Sequence, residues 1–301
     1  MALILPSIKD HVELLDLDLK GVEDWDSDPD PDILRWDSMK GHEIRDDWAI
    51  VLNLNLIYLA DNFKEARRLH SFRIKGNPQD PKLFDRDYLA ASTICAFLSL
   101  SNLTSLELDL CGTGLRQDLC GTKYGREDGE PIHLCPNIAA LLTTLRRLHV
   151  RMPEICPDVL KTKEDTRNNN LHLNEIIINL SLIDVASAPC AISALHATSC
   201  GTPDRWRGDL EVLPEMEKQV QNLVAQMAAP KIVRIITHTR LAKFPLPIYP
   251  RKAYDVLTGR TVKLREGAEW DDEGEPPIEK EVSEDEESEI SDLHGDLEDD
   301  E

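Results

Sequence analysis

The residue types in this chain that could do covalent or metal chemistry are its thiols and the imidazoles beside them. Cys111, Cys120, Cys135 and Cys156 follow one another as C-x8-C-x14-C-x20-C, and His133 stands two residues before Cys135. A zinc site takes four sulfur or imidazole ligands, and two of them usually come from one tight turn with a C-x2-4-C spacing. No such pair is present; His133-x-Cys135 could supply one corner. The spacing therefore predicts small buried packing residues, with no metal and no cofactor. A thiol nucleophile needs a base and an electropositive setting. Cys135 has His133 nearby, and Pro136 suits the first turn of a helix. No glycine-rich oxyanion loop or orienting acid accompanies them, so a thiol-dependent enzyme using Cys135 is the lesser alternative to a non-enzymatic protein.

The remaining polar candidates sit in a recurring frame. Gly112-Thr-Gly114 and Cys120-Gly-Thr122 match neither phosphate-loop pattern. Glu154 and Asp158 read as solvated acids, and His70, His149 and His172 lie in or beside one recurring pattern, Leu-x-x-Leu-x-Leu with other aliphatics allowed. It appears at Leu69–Ile74, Leu103–Leu108, Leu145–Val150 and Leu173–Ile178, with looser copies at Val12–Leu17 and Ile232–Thr237. The last positions alternate as in a strand with one buried face. The residues between the aliphatics, Arg73, Glu107, Arg146, Arg147 and His149, are then candidates for an exposed face that binds a protein partner.

Helical periodicity lies between these strands. Trp48, Leu52, Leu56, Leu59 and Phe63 share one face within 47–67. Further helices are expected over 87–100, from Pro136, and over 211–228 up to Pro230. Helices alternating with such strands imply parallel pairing with crossovers. The expected fold is thus α/β: an irregular leucine-rich-repeat-like solenoid. Its intervals of 34, 42, 28 and 59 residues between first positions exceed the usual ~20–29, so insertions separate the strands. Residues 1–265 form this domain, with an acidic loop near 23–32 and a hairpin near 253–264 around Thr258-Gly259.

The charge is concentrated at one end. Residues 266–301 hold 19 acids and one lysine, which accounts for −18 of the net −22. Such a segment cannot support a core, and disorder is expected there. Ser283, with acids at each of the next three positions, is a candidate phosphosite that would add negative charge. The acidic excess argues against nucleic-acid backbones and anionic membranes. No run approaches the ~18 apolar residues of a membrane span. Without a secretory signal, seven cysteines suggest reduced thiols in cytoplasm or nucleus.

The runs "RRLHSFRIKG", "NLTSLELDLCGT", "HLCPNIAALLTTLRRLHVRMPEICPDVL" and "YDVLTGRTVKLREGAEWDDEGE" together resemble fungal F-box/leucine-rich-repeat-like proteins over roughly residues 50–275. The resemblance implies a repeat domain that selects a protein substrate. It also implies an F-box that binds the Skp1 adaptor of a ubiquitin ligase. Here Leu5-Pro6 runs at once into "SIKDHVELLDLDL", which reads as a repeat strand and not an F-box.

Overall fold

The computed structural model describes residues 8–20, 39–77, 88–111, 113, 115–116, 132–162, 171–182, 197, 199–200, 212–238, 251–265 and 268–275. The acidic loop near 23–32, Cys120, Cys190 and Ser283 lie outside them.

Each aliphatic repeat becomes a strand two residues after its first leucine, except the last, which begins at its first aliphatic. The strands are β1 (Leu14–Lys20), β2 (Ser71–Asn77), β4 (Ser105–Asp109), β6 (Arg147–Arg151), β7 (Glu175–Asn179) and β8 (Ile232–His238). They pair in parallel in that order, and the antiparallel hairpin β9 (Arg251–Asp255) and β10 (Arg260–Lys263) completes an eight-stranded sheet. A two-stranded parallel pair, β3 (Leu89–Ala90) with β5 (Leu115–Arg116), stands apart.

The leading leucine does not join the strand because the chain turns a corner there. The carbonyl of Glu13 accepts from the amides of His70 and Ser71. The carbonyl of His70 accepts in turn from Thr104 and Ser105, Thr104 from Arg146 and Arg147, Arg146 from Asn174 and Glu175, and Asn174 from Lys231 and Ile232. This corner recurs five times. It drops Leu69, Leu103, Leu145 and Leu173, each buried, beneath the sheet.

The helices are α1 (Met39–Phe63), α2 (Ala91–Leu98), α3 (Leu134–Ala139) and α4 (Val212–Val224). They share one core with the inward strand residues Phe72, Ile74, Leu106, Leu108, Leu148, Val150, Ile176, Ile178, Val233 and Ile235. Phe72 of β2 stacks on Phe97 of α2 with ring centroids 4.6 Å apart. The expected faces of α1 and α4 point inward: Leu56 and Phe63 are buried, as are Met216, Val220 and Leu223. Leu89 and Ala90, expected in the first turn of a helix, are extended instead. Asn53 of α1 holds them so: its amide donates to Tyr88 O at 2.7 Å, and its Oδ1 accepts from Ala90 N at 2.8 Å and Thr93 Oγ1 at 2.6 Å.

The opposite face of the sheet has its own small core of Ile177, Ile236, Ala253, Leu264 and Trp270. Residues 268–275 therefore pack on the body, although the acidic composition from Glu266 onward pointed to chain without a core. Trp270 supplies the apolar surface that composition averaging hides. The fold is a mixed α/β structure built on one mostly parallel sheet, and among the described residues no helix is long and apolar enough to cross a membrane.

Candidate metal centre and the charged sheet face

Strand register decides what the polar candidates can meet. Asp16, Arg73, Glu107 and His149 occupy one row across β1, β2, β4 and β6. Arg73 pairs with Glu107 at 3.0 Å and with Asp16 at 3.9 Å. Arg73 and Arg147 are each 40% exposed, and Arg146 lies exposed at the corner before β6. His149 differs from expectation. It is buried, because Trp270 covers it with ring centroids 6.0 Å apart. Its Nε2 donates to Glu175 Oε1 at 2.5 Å, since a carboxylate can only accept. That hydrogen bond, helped by Arg147, holds the Glu175 carboxyl below the ordinary carboxylate range.

Residues 264–265 and 268–275 are held on this face by contacts of two kinds. Arg234 Nη1 donates to the carbonyls of Trp270 and Asp272, and Arg251 Nη2 to those of Arg265 and Ala268. Trp270 also lies 5.1 Å from the Arg151 guanidinium, which is itself buried and bound through two nitrogens to Asp109 at 2.7 and 2.6 Å.

The thiols gather away from this face, beyond the strand ends. His133 is the residue before α3 and Cys135 lies in its first turn. Cys156 precedes the short 3-10 turn Pro157–Leu160 that comes after β6. Cys200 belongs to the connection between β7 and α4. The ligand atoms of these four residues all lie within 4.8 Å of one another. His133 Nε2 is 3.1 Å from Cys156 Sγ, Cys135 Sγ is 3.7 Å from Cys200 Sγ, and the Cys156 amide donates to Cys135 Sγ at 3.4 Å. Cys135 and Cys156 are buried; His133 and Cys200 are partly exposed.

Three thiols at one point do not ionise independently. Hydrogen bonds from Cys135, Cys200 and His133 draw the Cys156 thiol far below its ordinary value. Cys135 is pushed up to about 12, chiefly by its hydrogen bond with Cys156, and Cys200 is raised in the same way by Cys135. Three sulfurs and one imidazole nitrogen are the donor set of a tetrahedral soft-metal site.

Of the four cysteines weighed from spacing, the structure brings Cys135 and Cys156 together with His133. Cys111 lies just past β4 and takes no part. Cys200, the missing fourth donor, stands 44 residues beyond Cys156. Its one local signal is the turn-forming Cys200-Gly201 step, which resembles Cys120-Gly121 equally well.

No family model, no curated protein and no solved structure matches this chain.

Proposed function

We propose that the protein is a non-enzymatic interaction module that binds a protein partner along the sheet face opposite its helices, within an irregular leucine-rich-repeat-like solenoid. The five-fold recurrence of the same corner hydrogen bonds supports the repeat reading. One observation carries the binding reading: this face already holds acidic chain of its own, residues 268–275, through arginine bonds to main-chain carbonyls and one buried tryptophan. Contacts to main-chain carbonyls hold a peptide whatever its side chains, and an aromatic anchor gives it register. The β1–β2 end of the face, with Asp16, Asp18, Arg73 and Lys75 at least partly exposed, is the part a partner would occupy.

The test is quantitative affinity capture with the full chain and with Arg73→Glu/Lys75→Glu. Loss of at least ~10-fold in recovery of one defined partner, with unchanged circular dichroism, supports the reading; a ~10-fold change equals about 1.4 kcal/mol. Equal recovery by both proteins removes it. The narrower form, a substrate receptor of a ubiquitin ligase, draws on the repeat-like register and requires the Skp1 adaptor among the captured proteins.

A further inference from the structure

We propose that His133, Cys135, Cys156 and Cys200 bind one zinc ion as a closed Cys3His structural site. The ion fastens the connection between β7 and α4 to the rest of the fold.

Geometry is the first ground. Zinc binds thiolate sulfur at ~2.3 Å in a tetrahedron, so neighbouring sulfurs should lie about 3.8 Å apart. Cys135 and Cys200 sulfurs are 3.7 Å apart, and no pair among the four ligand atoms exceeds 4.8 Å. A disulfide would hold two sulfurs at ~2.0 Å and leave the third thiol and the imidazole without a purpose at the same point. The close spacing of all four donors fits one ion and leaves no room for an iron–sulfur cluster between them.

Donor chemistry is the second. Three sulfurs and an imidazole select a soft or borderline ion and disfavour magnesium or calcium, which take oxygen. Four protein donors also close the coordination sphere, the mark of a structural zinc site. Zinc enters as the hydrated ion, its waters leave, the thiol protons pass to solvent as each sulfur ligates, and His133 binds as neutral imidazole through Nε2.

Placement is the third. His133 and Cys135 lead the chain back from β4, Cys156 comes after β6 and Cys200 after β7. The donors thus come from the connections that follow three successive neighbours in one parallel sheet. The connection carrying Cys200 spans residues 180–211, and within it Ala197 N donates to Leu180 O at 2.9 Å, next to the end of β7. A metal clip on so long a connection removes much of its freedom.

The experiment uses the full chain purified under reducing conditions, reconstituted with zinc and assayed by elemental analysis. About one zinc per chain is expected, falling at least ~5-fold in Cys200→Ser and in His133→Ala but not in Cys111→Ser. Should a variant fail to fold, cobalt titration of the unaltered chain decides. Intense tetrahedral d–d bands with thiolate-to-cobalt charge transfer, saturating at about one equivalent, support the site. Less than ~0.1 metal per chain, no tetrahedral cobalt spectrum, equal loss in Cys111→Ser, or a disulfide joining two of the three cysteines in the reduced preparation each overturns it.

Discussion

Replacing Trp270 by alanine tests how the charged face is closed. The indole is 9% exposed and packs on Ile177, Ile236, Ala253 and Leu264. Losing ~120 Å² of buried apolar surface at ~25 cal/mol/Å² removes about 3 kcal/mol. The contact with the buried Arg151 guanidinium at 5.1 Å adds about 1 kcal/mol. The full ~4 kcal/mol sets an upper bound, because the segment 264–275 can detach while the helix-side core stays folded. An apparent loss of about 3 kcal/mol is expected, or roughly 6–12 °C in melting temperature for a body of this size. Urea unfolding measures the global part. Hydrogen exchange measures the local part, in which protection of the Lys263 and Glu275 amides, paired with each other's carbonyls, should collapse first. Trp270→Phe should recover more than half. A melting shift under ~2 °C with unchanged exchange across 264–275 would refute the idea that Trp270 anchors this segment.

Three further outcomes rest on single side chains. Asp109→Ala strands the buried Arg151 guanidinium, bound to both its oxygens, and should cost about 3–5 kcal/mol; the double variant Asp109→Leu/Arg151→Met should cost clearly less in the same urea titration. Asn53→Leu removes a side chain making four hydrogen bonds inside the core. It should cost at least ~2 kcal/mol in unfolding free energy and loosen exchange at Ala90. Glu175 is held below its ordinary value by His149. Its contribution is therefore complete above the ordinary carboxylate pKa and lost as pH falls through the lower folded value. Glu175→Gln should flatten that acid limb of the stability–pH curve; an unchanged limb would show that the His149 contact contributes nothing.

The repeat strands were legible because their signal is local. At Leu106 and Leu108, or Leu148 and Val150, alternation alone tells which side faces the helices, and the sheet register agrees. The leading leucines share the apolar pattern of the strand positions, though the corner that removes them from the strands depends on hydrogen bonds between segments some 28–59 residues apart. What failed to show was chain whose environment comes from a distant element. His149 alternates like an exposed residue, yet it is buried against Trp270, which arrives from 121 residues away. Leu89 and Ala90 fit a helical face, and Asn53 overrules them.

The thiol cluster illustrates the same divide and gives it a cause. Spacing rules for metal sites work where one tight turn supplies two donors. Here each unit supplies its donors separately, and the sheet performs the juxtaposition. Neighbouring parallel strands lie ~4.8 Å apart, so the connections leaving β4, β6 and β7 emerge along one edge. That edge is where parallel α/β sheets place their functional groups, since every strand ends there and every connection begins there. The 21 and 44 residues separating Cys135, Cys156 and Cys200 each enclose one strand of the sheet, β6 and then β7, and so do not follow a ligand spacing. Lengthening a connection elsewhere would leave the donors together, whereas exchanging the order of two strands would scatter them. A sequence pattern for this site has to be written in units of the sheet: one His-x-Cys before a helix, then one cysteine after each of the next two strands.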